Sequence, residues 1–336
     1  MQELRKNIIT REWVIIAKDR GKRPDDFCKI QDKEPKSREE IIKSCPFCPG
    51  NEGMINDEIL VLKDTNSANY AGWSIKAVQN KYPALLNNIE FKKSSEGIYY
   101  IFAGAGKHEV IIESPDHFTD IPFMPPEHVK NLISVYYQRY SALMTEKQLK
   151  HIVIFRNHGP SAGTSLLHPH SQLIATPVIP KEVFLDSEGS ELYYEYEEAC
   201  PYCKIIEFED QSGDRIVCEN DSFITINPFF SRFSYETWIL PRRHNASFSQ
   251  INLKETEDLS KILQETLLRL YNCLKDPSYN LTLHSIMAPE WQSKSYHWHF
   301  QIIPRLTTPA GFELGTGMYI NTTAPEDAAK YLASAQ

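Results

Sequence analysis

The sequence contains the same ordered set of metal-binding and catalytic residue types twice. Each set consists of a Cys-x-x-Cys pair, a single histidine and a His-x-His-x-Gln motif. The first set is Cys45, Cys48, His117, His168, His170 and Gln172, and the second is Cys200, Cys203, His244, His297, His299 and Gln301. The single histidine precedes the motif by 51 residues in the first set and by 53 in the second. This repetition predicts a duplicated unit with a metal site and a His-x-His-x-Gln strand in each copy.

Each cysteine pair, together with two histidines of its set, has the composition of a zinc site. Zinc binds thiolate and imidazole groups in tetrahedral sets, and a Cys-x-x-Cys turn supplies two ligands at once. The same spacing serves thiol–disulfide chemistry, but neither pair lies in a thioredoxin-like βαβ pattern. We predict two structural zinc ions, each with four protein ligands and no open coordination position. The predicted ligands are Cys45, Cys48, His117 and His168 for one ion, and Cys200, Cys203, His244 and His297 for the other.

A rival arrangement is a single site made from both cysteine pairs, which would leave the histidines free. The two arrangements differ in stoichiometry, because the first binds two ions per chain and the second binds one. The remaining cysteines, Cys28, Cys218 and Cys273, are interpreted as ordinary reduced thiols.

His170 is the candidate nucleophile. Imidazole can attack a phosphodiester anhydride and form a phosphoramidate that is labile enough to pass the group on. Gln172 could donate a hydrogen bond to a phosphoryl oxygen, and the loop Gly163-Thr164-Ser165 offers N–H and hydroxyl donors for phosphates. The alternative is that His170 is a further metal ligand or a satisfied buried histidine. The glutamine, the loop and the metal site in one unit favour catalysis.

The second His-x-His-x-Gln motif competes for the active role. His299 and Gln301 have the same spacing as His170 and Gln172. However, Ser293-Lys-Ser295 stands where the first set has its Gly-Thr-Ser loop. We therefore favour His170 on the completeness of its motif.

Predicted strands and helices place these motifs in an α+β fold with mainly antiparallel sheet. A first-turn proline at Pro126, followed by apolar residues at three-to-four spacing, predicts one long helix, and leucines around 259–270 predict another. The predicted strands are 13–17, 77–83, 109–113, 151–155 and 172–177 in the first unit, and 223–227, 236–240, 279–283 and 299–303 in the second. Residues two apart on a strand share a face, so the sequence does not separate His168 from His170.

The repeat predicts two halves joined by a linker. Residues 1–180 form the first half, with the favoured His-Pro-His-Ser-Gln motif, and residues 195–336 form the second. Residues 181–194, rich in acidic residues and tyrosine, are the predicted linker, and residues 29–44 are a predicted surface loop.

Length and composition limit the class of protein. The chain has 336 residues, a net charge of -8 and a pI near 5.8, which argues against nucleic acid or an anionic membrane as a partner. No run approaches the roughly 18 apolar residues of a spanning helix, and the amino end lacks the composition of a signal or transit peptide. We expect a soluble, cytoplasmic protein.

The motifs also resemble those of a known family. Cys-Pro-Phe-Cys, Ser-Pro-Asp-His and Gly-x-Ser-x-x-His-Pro-His-x-Gln closely resemble the galactose-1-phosphate uridylyltransferase family of the histidine-triad superfamily, as does the stretch from Trp13 to Pro24. The resemblance implies two histidine-triad-like halves and a ping-pong reaction. In that reaction His170 takes the nucleotidyl group from a nucleoside diphosphate sugar such as UDP-glucose, and a second sugar 1-phosphate then accepts it.

The resemblance implies roles for further residues. Those that match phosphate- or nucleoside-contacting positions are Arg20, Arg23, Asn80, Asn157, Gly163 and Ser165, with Gln172 as the phosphoryl donor. Guanidinium groups suit a diphosphate through their fork geometry, although a solvated basic turn explains the two arginines nearly as well. Asn80 is alternatively a turn residue at a strand end. The resemblance also implies a homodimer whose carboxyl-terminal segment reaches the partner's site.

Several positions depart from the usual family pattern. Lys81 stands where the best-known members have an aspartate that suits a ribose hydroxyl. Thr316, Gly317 and Thr323 stand where the family presents tyrosine, glutamate and glutamine to the hexose. These features, and the intact second cysteine pair, resemble the branch that includes plant ADP-glucose phosphorylase, which moves adenylyl groups to inorganic phosphate. Uridylyl transfer is the first prediction and adenylyl transfer the second.

Two hypotheses come from other functional classes. The chain could be a zinc-stabilised nucleotide-binding protein that uses the fold without turnover. It could also hydrolyse nucleotides, as smaller histidine-triad relatives do, which would release nucleoside monophosphate without a sugar acceptor.

Overall fold

The computed structural model describes residues 3–17, 37–63, 71–87, 89–287 and 293–335. The strands are β1 (Glu3–Lys6), β2 (Trp13–Ile16), β3 (Glu58–Lys63), β4 (Trp73–Gln79), β5 (Lys93–Glu96), β6 (Tyr99–Phe102), β7 (Lys107–Ile112), β8 (His151–His158), β9 (His170–Thr176), β10 (Ile216–Glu219), β11 (Phe223–Ile226), β12 (Thr237–Pro241), β13 (Tyr279–His284), β14 (His299–Pro304) and β15 (Ile320–Asn321). The helices are α1 (Arg38–Ser44), α2 (Pro126–Met144), α3 (Lys181–Glu197), α4 (Pro201–Ser212), α5 (Leu253–Leu274), α6 (Gly311–Thr316) and α7 (Pro325–Ala333). Within the described ranges, none of these helices has both the length and the apolar character needed to cross a bilayer.

Ten strands form one antiparallel sheet in the order β10-β11-β12-β14-β13-β8-β9-β7-β4-β3. The sheet has two halves of five strands, which meet where β8 pairs with β13. Counted outward from this junction, the first half runs β8-β9-β7-β4-β3 and the second runs β13-β14-β12-β11-β10. The repeated order confirms the predicted fold class, a duplicated α+β unit with mainly antiparallel sheet and a long helix in each copy.

Helices α2 and α5 cover one face of this sheet. Pro126 occupies the first turn of α2, where its missing N–H is not needed. Asn252 and Glu255 form a capping box at the start of α5. The apolar stripes of both helices pack with alternate strand residues in one core. Because this face is filled, the functional side chains lie on the opposite face.

Two segments are more regular than the sequence predicted. The predicted loop 29–44 is wrong at its end, because Arg38–Ser44 form α1, whose capping box joins Ser37 and Glu40. The predicted linker 181–194 forms most of helix α3. Gly189 allows this helix to pack closely, because a Cβ there would collide with the backbone oxygen of Ile9.

A charged cluster ties the two halves together beside the β8–β13 junction. His158 Nδ1 lies 3.0 Å from Oδ2 of Asp120, and its Nε2 lies 2.8 Å from Oδ1 of Asp276 in the second half. Asp120 also pairs with the buried guanidinium of Arg156, and the ring of His158 stacks on Tyr279 at 4.9 Å. Burial alone would lower the pKa of His158, but its hydrogen bonds to the two carboxylates raise it from 6.5 to about 9.

We expect the stability of the protein to depend on pH through His158. Because folding raises its pKa, the stabilising contribution is fully present below pH 6.5 and is lost as the pH rises through about 9. In urea unfolding, the difference in free energy of unfolding between the protein and a His158→Gln variant should shrink by roughly 2 kcal/mol between about pH 6 and about pH 10. A difference that stays constant over this range would show that folding does not raise the pKa of His158.

Candidate active site and metal centres

His168 and His170 face different surroundings because strand β9 begins at His170. His168 precedes the strand and is fully buried, whereas His170 is the first strand residue and lines an open cavity. The rule that alternate strand residues share a face therefore does not apply to this pair. The start of the strand separates a residue of the metal centre from a residue of the cavity.

The first candidate metal centre contains Cys45, Cys48, His117 and His168, whose potential ligand atoms all lie within 4.8 Å of one another. Sγ of Cys48 is 3.3 Å from Nδ1 of His117 and 3.5 Å from Nδ1 of His168. Sulfur and nitrogen ligands of a tetrahedral zinc ion are about 3.5 Å apart, given bond lengths of about 2.3 and 2.0 Å. Nε2 of His168 donates to the Ser114 carbonyl at 2.7 Å, which leaves Nδ1 unprotonated for a metal. These residues fit a tetrahedral metal ion.

The second metal centre repeats this arrangement with Cys200, Cys203, His244 and His297. Sγ of Cys203 is 3.4 Å from Nδ1 of His244 and 3.7 Å from Nδ1 of His297. Nε2 of His297 donates to the Pro241 carbonyl at 2.8 Å, which again leaves Nδ1 for a metal. Each cysteine pair thus lies with the histidines of its own half. The two predicted sets of four come together, and the rival four-cysteine site does not.

His170 presents one ring nitrogen to the cavity. Its Nδ1 donates to the carbonyl oxygen of His168 at 2.8 Å, so Nε2 keeps its lone pair. The ring of Phe47 packs edge-on against His170 at 5.2 Å. Burial lowers the pKa of His170, which favours the neutral imidazole. A neutral ring held through Nδ1–H can attack phosphorus through Nε2.

Two cavities meet at His170. The larger, of about 590 Å³, has the size of a small-molecule site. It also contains the predicted site residues Asn80, Gly163, Ser165 and Gln172. The smaller, of about 170 Å³, contains the predicted site residues Asn157 and Thr164. The remaining candidates, Arg20 and Arg23, lie outside the described residues.

Two family models cover most of the chain. The model of the galactose-1-phosphate uridyl transferase N-terminal domain matches residues 1–180, and that of the C-terminal domain matches residues 180–319. The chain belongs to the galactose-1-phosphate uridylyltransferase family. The resemblance found in the sequence motifs is therefore confirmed.

Members of this family resemble the chain over almost its whole length. ADP-glucose phosphorylase of Arabidopsis thaliana is 34% identical over 334 residues, covering 98% of this chain and 92% of the relative. Galactose-1-phosphate uridylyltransferase of Thermotoga maritima is 29% identical, covering 99% of this chain and 98% of the relative. The crystal structure of the Arabidopsis thaliana ADP-glucose phosphorylase with bound ADP-glucose has a TM-score of 0.82 at 30% identity and covers 100% of both chains.

In the second half of this chain, neighbouring side chains fill the space around the His-x-His-x-Gln motif. His299 is 2% exposed, and its ring stacks on Trp238 at 4.7 Å and on His284 at 4.8 Å. Trp238 on β12 lies opposite Gln301 on β14. In the same way, Val110 on β7 lies opposite Gln172 on β9. A tryptophan thus packs on His299 at the position where a valine lines the cavity of the first half.

His108, which belongs to none of the motifs in the sequence, also lines the larger cavity. Its Nε2 lies 2.8 Å from Oε1 of Gln172, although 64 residues separate the two along the chain. A lone histidine on a strand belongs to no motif. The one available signal was strand alternation, which places His108 on the same face as Val110.

Proposed function

We propose that the protein transfers a nucleoside monophosphate from a nucleoside diphosphate sugar to an acceptor phosphate through a nucleotidyl-His170 intermediate. One observation carries the proposal. The Nδ1–H of His170 donates to the His168 carbonyl, so Nε2 of the neutral ring is unprotonated. The same ring lines a cavity that is large enough for a nucleotide.

Nucleotidyl transfer takes place in two displacements at the α-phosphorus. The Nε2 lone pair attacks this phosphorus, an N–P bond forms, and the bond to the bridging oxygen breaks. The sugar 1-phosphate leaves with that oxygen and its electron pair. The His168 carbonyl stabilises the positive ring through the Nδ1–H of His170. An oxygen of the acceptor phosphate then attacks the same phosphorus, and the N–P bond breaks to restore neutral His170.

The other predicted site residues are proposed to bind the substrate. Gln172 follows His170 by two residues on β9, so both side chains lie on one face and line one cavity. Gly163 has a φ of 86°, a left-handed conformation that glycine adopts without strain. It thereby turns the phosphate loop that ends at Ser165 along the cavity wall. Asn80 and the arginines Arg20 and Arg23 are proposed nucleoside and diphosphate contacts from the family pattern.

The filled second half supports His170 rather than His299 as the nucleophile. A nucleophile must come within about 3 Å of the phosphorus. The rings of Trp238 and His284 cover both faces of His299, which is buried. His170 instead adjoins two cavities, which give its ring the open space that a substrate needs.

We propose zinc at both metal centres. The donor sets of two thiolates and two imidazoles at tetrahedral spacing support this choice. Four protein ligands leave no position for substrate, so the ion would supply structural rigidity and no step of the transfer. At the first centre it would fix His168, whose carbonyl oxygen orients His170.

Two donors are candidates. UDP-glucose, with galactose 1-phosphate or another hexose 1-phosphate as acceptor, is the first, because the matching family models carry that name. ADP-glucose, with inorganic phosphate as acceptor, is the second. It is favoured by the 34% identity to the Arabidopsis thaliana ADP-glucose phosphorylase, against 29% for the Thermotoga maritima uridylyltransferase.

The test is the intact mass of the protein after incubation with UDP-glucose and, separately, with ADP-glucose, followed by peptide mapping. We expect a nucleotidyl adduct on the peptide that contains His170. A uridylyl adduct would establish the first donor and an adenylyl adduct the second. An adduct on His299 would contradict the choice of half. No adduct from either donor would favour the non-catalytic nucleotide-binding hypothesis.

We further propose a cytoplasmic homodimer in which residues 1–180 and 195–336 act as halves joined by 181–194. The hairpin β5–β6 supports an interface, because Ile98, Tyr99 and Tyr100 are largely exposed there. Helix α6, in the segment implied to reach the partner, contains no buried residue. A monomer in sedimentation analysis would contradict the dimer.

Reduced thiols in the cytoplasm would remain available to bind metal.

A further inference from the structure

The orientation of the Gln172 side-chain amide determines which of its atoms faces the phosphoryl group. Only the NH₂ group can donate a hydrogen bond to a phosphoryl oxygen. The oxygen and nitrogen of an amide have nearly the same shape, so its hydrogen-bond partners must define the orientation. In this protein those partners are His108 and Asn80.

The backbone of Ala84 defines the protonation of His108. Nδ1 of His108 lies 3.0 Å from the backbone nitrogen of Ala84. A backbone N–H only donates, so Nδ1 must accept, and the proton of the neutral ring lies on Nε2. Nε2–H then donates to the atom of Gln172 that is 2.8 Å away, which must be the amide oxygen Oε1. Burial lowers the pKa of His108, which keeps the ring neutral.

Asn80 supports the same orientation of Gln172. Its Oδ1 accepts the backbone N–H of Tyr82 at 2.8 Å, so its Nδ2 points toward the other two side chains. Nδ2 lies 3.4 Å from Oε1 of Gln172 and 3.1 Å from Nε2 of His108. Because Nε2 carries the proton, these two donors share the Gln172 oxygen and do not bond to each other.

We infer that His108 is a positioning residue, which holds the Gln172 oxygen and thereby turns the NH₂ group toward the phosphoryl group that His170 receives. This inference rests on the proposed nucleotidyl transfer. Among the described residues, none accepts a hydrogen bond from Nε2 of Gln172. The NH₂ group of a residue that lines the cavity is therefore available to a ligand.

At the position equivalent to His108, the second half has a hydrogen-bond acceptor in place of a donor. Glu236 precedes Trp238 by two residues, as His108 precedes Val110, and both Trp238 and Val110 pair with the motif glutamine. Oε1 of Glu236 accepts a hydrogen bond from Nε2 of Gln301 at 2.7 Å. In the second half, the acceptor Glu236 thus binds the amide nitrogen of Gln301. In the first half, the donor His108 binds the amide oxygen of Gln172 and leaves its nitrogen free.

The test compares the variants His108→Glu and His108→Gln. Each is mixed with whichever of UDP-glucose and ADP-glucose labels the unmodified protein, and the single-turnover rate of His170 labelling is measured. Glutamate reproduces the acceptor of the second half and should slow labelling by about 100-fold, the effect of losing one transition-state donor. Glutamine keeps an N–H donor at the position of Nε2 and should stay within about 5-fold. The dissociation constant of UMP or AMP should change less than about 3-fold in both.

Further variants separate positioning from folding. In a Gln172→Ala background, His108→Glu should cause no further loss of rate, because the amide it misorients is absent. If glutamate prevents folding, His108→Leu removes the donor without a charge and should slow labelling by about 10-fold. Nitrogen-15 shifts of His108 in the unmodified protein should report a neutral ring protonated on Nε2.

The outcomes distinguish the inference from the proposed function. Labelling of a folded His108→Glu variant at the unmodified rate would overturn the inference, as would equal losses in the glutamate and glutamine variants. A His108 ring protonated on Nδ1 would overturn it without reference to catalysis. If the unmodified protein forms no adduct with either donor, the proposed function fails, and the inference fails with it.

Discussion

Replacing His170 by asparagine should reduce nucleotidyl exchange by about 10⁴-fold or more, because the covalent intermediate loses its nucleophile. Asparagine places an amide N–H near the position of Nδ1, so the hydrogen bond to the His168 carbonyl can persist. The measurement is the exchange of labelled sugar 1-phosphate into the nucleoside diphosphate sugar, together with the mass of the protein after incubation with donor. Metal content and nucleotide affinity should remain those of the unmodified protein.

The matched control is His299→Asn in the second half. His299 has the same hydrogen bond, from Nδ1 to the His297 carbonyl at 3.2 Å, but its ring is buried. Exchange per folded molecule should therefore stay within about 3-fold of the unmodified protein, although the lost aromatic packing should lower the melting temperature. Full exchange in His170→Asn would show that the proposed nucleophile is wrong. Loss of exchange in His299→Asn alone would move the active site to the second half.

Removing one cysteine from either candidate metal centre should remove one of the two proposed ions and lower the melting temperature by about 10 °C. Cys48 contacts two histidines of its centre, so Cys48→Ser breaks the first centre. That change frees His168, whose carbonyl holds His170, and labelling of His170 should fall by at least about 100-fold. The measurements are elemental analysis of metal per chain, thermal unfolding and adduct formation.

The matched variant Cys203→Ser breaks the second centre. It should lose one ion and a similar degree of stability, yet label His170 at nearly the unmodified rate below its melting temperature. Equal loss of labelling in both folded variants would show that the first centre has no special connection to the nucleophile. Retention of two ions in either variant would contradict its ligand set.

The two candidate metal clusters and the two His-x-His-x-Gln motifs were predictable because parts of each are close in sequence. Cys45 and Cys48 share one turn, and His168, His170 and Gln172 span five residues. The duplication then indicated which distant residues belong to each set, because the same residue types recur in the same order in both halves. Long helices α2 and α5 were predictable for a related reason, because each has a regular apolar stripe along its length.

Two segments show where local patterns were overlooked or absent. Helix α1 had a detectable signal, the Ser37 and Glu40 capping box, within a segment that its charge had suggested was a loop. Helix α3 lacks a regular apolar stripe, with Ser190 its one buried residue among those described. It packs closely against the amino-terminal segment at Gly189, a contact that no spacing rule reveals.

Residue types and their spacing were enough to predict the duplicated α+β fold, the two candidate metal clusters and the two His-x-His-x-Gln motifs. Which of the two motifs opens into a cavity became clear from the folded arrangement of the strands. Trp238 fills the second half at the position where Val110 leaves the first half open, and His108 orients Gln172 from a neighbouring strand. These side chains act through contacts between strands that are distant in sequence, so their effects exist only once the sheet has formed.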